Sequence, residues 1–398
     1  MRATLTIDRL GHRGEGIAEL DGERVFVPLT LPGETVAVDR EGNRGQVLDI
    51  LAHSPDRVAP PCPHFGACGG CQLQHMAPAV YEGFKRGLVA SALAWAGLAA
   101  ETEEMVAAHG EGRRRATLHA AGGAAGFMAL RSHTIHDLDA CPILVPALAR
   151  APQIARAISA LLGPCDVAFT ASAMGLDVAI RAKGAGVHKG LAAIARDFDL
   201  ARLALNGEVL VVARPPLIAM GRADVPLPVG GFLQATARAE AVLADLVLEA
   251  TRGAREIADL FCGVGPFALR LAERATVFAA DSDAPAIAAL DAARRKASKL
   301  KPITAERRDL FREPLGVFEL NRFDAVVLDP PRAGAQAQAK ELARSRVPTV
   351  AYVSCDPQSF ARDAAILVAG GYHMGPVTPV DQFAFSAHTE VFARFSRR

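Results

Sequence analysis

Asp259-Leu260-Phe261-Cys262-Gly263-Val264-Gly265-Pro266-Phe267-Ala268 is the stretch from which the fold of this chain can be read. An apolar run, Glu256–Cys262, predicts a strand that feeds into it, and an Ala/Leu/Arg-rich segment predicts a helix after it. Gly263 and Gly265 let the chain turn tightly and bring a ligand close to the backbone. Pro266 suits a first helical turn, where a missing N–H costs little. Asp281 follows Gly263 by 18 residues, at the end of the next predicted strand, Thr276–Asp281. There a carboxylate can accept both ribose hydroxyls of an adenosine. The pattern matches G-x-G-x-x-A, so NAD competes with other adenosine-containing cofactors, and a purely structural turn is the plain alternative. Asp309, beyond the following strand segment, could reach an adenine edge; it reads equally well as a surface carboxylate.

Working outward, strands are predicted at Phe323–Asp329 and Thr349–Cys355, again separated by helical stretches. Apolar strands alternating with helices define a mainly parallel, doubly wound α/β sheet from about residue 226 onward. Tyr372–Phe383 and Thr389–Phe395 are close enough in the chain to pair as an antiparallel edge. Ligands of such sheets sit outside the carboxyl ends of the strands. Asp329-Pro330-Pro331-Arg332 stands at one such end, its two prolines holding the turn extended. Val353-Ser354-Cys355-Asp356-Pro357 stands at the next. A cysteine on that lip is placed as a nucleophile, although a free thiol, with a pKa of about 8.5, is mostly protonated at neutral pH. A buried packing cysteine is the bland alternative. His388-Thr389-Glu390 leads into the last strand and makes Glu390 a candidate base.

Toward the N-terminus the pattern changes. Residues 1–55 show about five short runs with turn punctuation at Gly14-Glu15-Gly16, Pro32-Gly33 and Glu41 to Gly45, which suits a small β-barrel of the OB type. Residues 56–77 crowd prolines and glycines around Cys62, Cys68 and Cys71, and this density excludes a helix or a central strand. Tyr81 to Leu98 has helical spacing, and strands are expected near Val167 to Ile180 and Glu208 to Ala213. With Cys141, 70 residues after Cys71, the loop offers four thiolates to a metal. Zinc and an iron–sulfur cluster both remain open on spacing alone. Incidental burial is the simpler alternative for these cysteines.

Composition limits the classes. The chain has 398 residues, 51% hydrophobic and 22% charged, which excludes disorder and fibrous repeats and gives two or three domains. No uncharged apolar run approaches the ~18–20 residues of a membrane helix. The opening MRATLTIDRLG lacks a secretory pattern, and seven scattered cysteines are not a disulfide framework, so a reducing cytoplasm and a monomer are expected. The net charge is +1, and residues 1–58 carry 7 basic against 10 acidic side chains. A nucleic-acid partner would therefore have to be held by placed arginines, shape and a captured base rather than a broad basic face.

Taken together, the motifs resemble the RNA (uracil-5-)-methyltransferases that use S-adenosylmethionine. The resemblance is nearest to those acting on 23S ribosomal RNA, which carry an N-terminal TRAM domain and a 4Fe–4S cluster. It runs through Val25-Phe26-Val27-Pro28, Leu31-Pro32-Gly33-Glu34, the four cysteines, Ser132-His133, Phe232-Leu233-Gln234, the Asp259–Gly265 loop, Asp329-Pro330-Pro331-Arg332, Ser354-Cys355 and His388-Thr389-Glu390. It implies an OB-type TRAM domain over 1–58 and a central iron–sulfur α+β domain over 59–225, with part of 78–110 packing on the catalytic domain. A Rossmann-like class I methyltransferase domain would cover 226–398. It also implies that Gln234, Phe261, Asp281, Asp309 and Asp329 contact the cofactor, that Cys355 is the nucleophile and that Glu390 accepts a proton. Cys62, Cys68, Cys71 and Cys141 would bind the cluster. Three positions depart from the family pattern. Pro266 stands where asparagine is frequent, Asp281 where glutamate is usual, and Asp356 where asparagine usually follows the nucleophile. Transfer RNA is the alternative substrate, and an iron–sulfur NAD-dependent oxidoreductase is the alternative from another class.

Overall fold

A computed structural model describes residues 1–397. The N-terminal segment forms one six-stranded sheet ordered Arg2–Thr6, Thr35–Glu41, Arg44–Ala52, Glu23–Val27, Gly16–Leu20, Arg9–Leu10. One strand more is present than the turn signals suggested, because the pair Arg9–Leu10 is too short to carry a periodic signal. Leu5, Ile7, Ala18, Val25, Val27, Val36 and Val38 point to one side and make its core.

A seven-stranded sheet follows, ordered Ile135–Asp137, Ala124–Met128, Arg115–Ala121, Cys165–Ser172, Gly175–Arg181, Arg202–Leu205, Glu208–Val212. The helices Ala151–Leu162 and Gly190–Asp197 cover it, sharing a core with Leu118, Val167, Phe169, Val178 and Leu203. The single run expected near Val167 to Ile180 is a hairpin of two strands turning at Ala173-Met174. Between the two sheets, the Pro/Gly-rich loop contains no helix or named strand. It is tied down by isolated backbone bonds instead, Val58 N–H to His75 O at 3.0 Å and Gly69 N–H to Met128 O at 2.9 Å.

The third sheet has eight strands ordered Ile303–Arg307, Thr276–Asp281, Glu256–Leu260, Ala325–Leu328, Thr349–Ser354, Glu390–Ser396, His373–Asp381, Val106–Ala107. The first five are parallel, and Glu390–Ser396 inserts antiparallel against Thr349–Ser354. Alternate residues feed opposite layers. Ile257, Val327, Ala351 and Val353 enter one core, while Ala258, Leu260, Val326, Leu328, Val350 and Tyr352 enter the other. Each large side chain so buried contributes about 1.5–3 kcal/mol, which is why these strands are apolar throughout rather than alternating.

The last two strands do pair antiparallel, but Glu390–Ser396 is interior, not an edge. The edge is closed by Val106–Ala107, and the helix Pro78–Trp95 buries Val89, Ala92 and Leu93 in the same core. Residues from the middle of the chain thus complete this sheet. No helix among the described residues is long and apolar enough to cross a membrane.

Candidate active site

The chain runs outward from Glu256–Leu260 to Ile303–Arg307 and returns to Ala325–Leu328, so the order reverses between two adjacent parallel strands. A crevice opens at that reversal. It is a cleft of about 540 Å³ whose walls include Phe232, Gln234, Phe261, Gly263, Pro266, Asp281, Phe311, Asp329, Arg332, Cys355, Phe383 and Glu390.

One half is built by the glycine loop. Phe261 adopts φ 63°, a left-handed backbone that costs a non-glycine residue about 1–3 kcal/mol and is met mainly at functional sites. Gly265 has φ 92°, a backbone that favours glycine, and an added Cβ would lie 2.5 Å from Leu290 Cδ1 of the helix Ala284–Lys296 and push that side chain aside. Asp281 is oriented by its surroundings: Gly263 N–H donates to Oδ2 at 2.9 Å and Asp283 N–H to Oδ1 at 2.8 Å. The Phe261 and Phe311 rings meet at 5.4 Å and 58°, leaving an aromatic wall beside Asp281. The helix begins at Ala268, so Pro266 precedes it by two residues instead of opening its first turn. Its carbonyl accepts from Arg270 Nη1 at 2.6 Å.

The other half gathers acid and thiol. Burial, then the Glu390 and Asp329 carboxylates, push the Cys355 thiol up to about 12, and Arg332 is the opposing cation. Asp356, which follows it, accepts from Ser359 N–H on Oδ1 at 2.8 Å and ranks behind Glu390, Asp329 and Arg332 in its action on the thiol. Glu390 is buried at the start of its strand, not exposed, and burial raises its carboxyl to about 7. Asp329 is likewise pushed well above the usual carboxylate range by burial and by Glu390, while Gln234 Nε2 donates to its Oδ2 at 3.1 Å.

Two expected residues stand apart. Asp309 is half-exposed, accepts from Phe311 N–H at 3.1 Å, and lies outside the lining of the cleft, as does Gly265. Conversely, Phe311, Phe383 and Gln382 were not singled out from sequence, and Arg332 stood in a quoted motif without a role of its own. The one sequence signal for Phe311 is an aromatic residue two positions past Asp309.

The loop between the last two strands is anchored from both sides. Lys85, fully buried on the helix Pro78–Trp95, pairs with Asp381 and also donates to Phe383 O at 3.0 Å and His388 O at 2.9 Å. Gln72 and Leu73 N–H, next to Cys71, both donate to Phe385 O, at 2.8 and 3.0 Å.

Cys62, Cys68, Cys71 and Cys141 line a second cavity, with Phe65, Phe127 and Gln74. Burial raises the Cys141 thiol to about 11, and the other three thiols push it the same way. Among the described residues, no three His, Cys, Asp or Glu side chains are grouped closely enough for a single metal ion. The remaining cysteines, Cys165 and Cys262, are buried in hydrophobic cores.

A parallel sheet with one antiparallel strand inserted after its fifth member, and a glycine loop at the reversal of strand order, is the class I methyltransferase architecture. The family model for tRNA (uracil-5-)-methyltransferase matches residues 227–398. An RNA methyltransferase of Brucella suis biovar 1 is 46% identical over 98% of this chain and 96% of its own. The 23S rRNA (uracil(1939)-C(5))-methyltransferase of Chromohalobacter salexigens is 35% identical, covering 99% of this chain and 89% of its own. The Pyrococcus abyssi tRNA (uracil-54, C5)-methyltransferase, solved with S-adenosyl-L-homocysteine, superposes with a TM-score of 0.79 over 98% of this chain and 99% of that one. At 22% identity this last likeness speaks for the fold. The chain belongs to the RNA (uracil-5-)-methyltransferase family, which sets aside the oxidoreductase alternative.

Proposed function

We propose that this enzyme methylates C5 of a uridine in 23S ribosomal RNA, with Cys355 as nucleophile and Glu390 as proton acceptor. The carrying observation is that a thiol and a buried carboxyl from different strands face one cleft beside the Phe261–Asp281 wall. Ribosomal RNA is preferred over transfer RNA because the ribosomal enzyme is 35% identical along nearly the whole chain, against 22% for the transfer RNA enzyme.

S-adenosylmethionine, when bound, supplies a methyl group on a cationic sulfur. The residues present fit it. Asp281 offers a carboxylate to ribose hydroxyls, Phe261 and Phe311 an aromatic wall, and Gln234 with Asp329 a polar end. The cleft holds Asp281, Asp329 and Glu390 against Arg332 as its cation, so it favours a positively charged ligand. Neutralising that acidic ring also removes the upward push that Glu390 and Asp329 add to burial at the Cys355 thiol. Uracil C5 is a poor carbon nucleophile until the Cys355 thiolate adds to C6 and leaves an enolate at C5. After C5 is methylated, Glu390 takes the C5 proton, C5=C6 re-forms, and the Cys355 thiolate leaves. The base must be extruded from its stack to reach both groups.

Cys62, Cys68, Cys71 and Cys141 line one cavity and are the candidate ligands of a 4Fe–4S cluster, which takes four thiolates. Its part here is structural, holding the loop whose Gln72 and Leu73 brace Phe385. The N-terminal sheet, read as an OB-type RNA-binding unit, meets this loop at a groove of about 680 Å³. Arg13, His119, Arg131, Arg332 and His388 lie along it, and Arg332 also lines the active-site cleft. Placed arginines, not net charge, would then guide the RNA.

Mapping 5-methyluridine by mass spectrometry in ribosomal and transfer RNA from a deletion strain tests the substrate. Loss confined to transfer RNA would overturn the ribosomal assignment.

A further inference from the structure

Gln382 lies in the anchored loop, fully buried, and each of its amide atoms is engaged. Its Oε1 accepts from Ala235 N–H at 2.7 Å. Its Nε2 donates to Gln234 Oε1 at 2.7 Å and to Glu390 Oε1 at 2.7 Å. The Ala235 donor can meet only the carbonyl end, so the NH₂ must face the other two partners. That in turn obliges Gln234 to present its oxygen to Gln382 and its NH₂ to Asp329, as the 3.1 Å bond records. One chain of amides therefore joins the two buried carboxyls of the cleft, with a direction set by a backbone N–H.

The effect on Glu390 is asymmetric. Oε1 is held, whereas Oε2 is buried and has no hydrogen-bond partner among the described residues. Asp329, Arg332 and Cys355 are the charged or titratable groups that face Glu390 from the neighbouring strand ends.

We propose that Gln382 is the positioning residue for proton removal, pinning Glu390 Oε1 so that Oε2 alone is presented to the substrate carbon. This rests on the reading of Cys355 and Glu390 above and deepens it. In that step the C5–H bond breaks and its proton goes to Oε2. The C5–H electron pair becomes the C5=C6 bond, and the C6–S pair returns to Cys355. Gln382 donates to the ionised carboxylate, so it also favours the form able to accept the proton.

The test compares wild type with Gln382→Met, which has similar length and no donor, on two RNAs. RNA containing 5-fluorouridine cannot release a C5 proton, so it reports attack by Cys355 and methyl transfer as a stable protein–RNA adduct. Uridine RNA reports complete turnover. We expect adduct formation close to the wild-type rate, turnover reduced about 10- to 100-fold, and the acid limb of the pH–rate profile moved up by about one pH unit. The direction follows from losing a donor to the ionised form, so that Glu390 becomes a base only at higher pH. Wild-type turnover, or a fall equal at every pH, would overturn the positioning role while leaving the function intact. Absence of the adduct in wild type would overturn the functional reading itself. If Gln382→Met does not fold, Gln382→Asn, one methylene too short to reach both partners, decides between the same outcomes.

Discussion

Cys141 and Cys355 are both thiols raised far above their usual range by burial, to about 11 and about 12, yet their neighbours differ in kind. Around Cys141 a backbone hydrogen bond from Ile143 opposes the rise, and the charges that add to it are three more thiols. Around Cys355 they are two carboxyls and an arginine. Thiols that crowd one another ionise together only with a cation to offset their charge, which is what the proposed cluster would supply. A thiol set among carboxyls that can change charge, with Arg332 opposite, can be switched by what binds next to it. On the roles proposed above, the two groups of cysteines would serve structure and chemistry, and it is their neighbours that divide them.

The comparison can be broken most sharply at Cys355. Cys355→Ala should lower methyl transfer by at least on the order of 10⁴-fold, the scale at which nucleophiles are lost elsewhere, with iron content and thermal midpoint unchanged. Filter assay of tritiated methyl transfer, iron analysis and calorimetry check this; retained methyl transfer would remove the nucleophile assignment. Cys141→Ser should do the reverse in kind. Iron should fall and the thermal midpoint drop by several degrees, consistent with loss of a metal site that contributes folding energy. Iron-free wild-type protein with an unchanged midpoint would refute the cluster.

Glu390 sharpens the electrostatic side. Its carboxyl sits at about 7 in the folded protein against 4.5 ordinarily, so between those values the folded state binds more protons than the unfolded one. Its stabilising contribution is complete below pH 4.5 and disappears as pH rises through 7. Glu390→Gln should therefore gain stability relative to wild type across that window, by on the order of 3 kcal/mol at its upper end, in urea melts at several pH values. A pH-independent difference would mean that the carboxyl is not so perturbed. The smallest effect is expected at the aromatic wall. Phe311→Ala should weaken S-adenosylhomocysteine binding about 3- to 10-fold, as titration calorimetry would show, since a ring contact is worth about 0.5–1.5 kcal/mol.

Much of the catalytic sheet was legible in the chain. The strand at Thr276–Asp281 ends where its apolar run ends, and the others lie within one or two residues of their patterns. The Asp281 carboxylate beside Gly263 was likewise readable, because a strand, a tight turn and the next strand end form one local unit. Asp309 is less local. It occupies the expected strand end, yet the turn after it directs Phe311, not the carboxylate, into the cleft. Nothing in the pattern around Gln382 marked it, since its three partners come from residues 234, 235 and 390.

Short-range periodicity and turn chemistry act within a few residues, so they dictate the parallel sheet, the glycine loop and the proline-bound cysteines from the order of residues alone. What depends on distance through space was decided by packing. The final strand is buried between two others, the helix Pro78–Trp95 is recruited to the catalytic sheet, and Lys85 anchors a loop some 300 residues away. A buried amide or charge has to find partners wherever the fold supplies them. That requirement, invisible in any single segment, sets the pKa values of Cys355 and Glu390 and the direction of the chain of amides between Asp329 and Glu390.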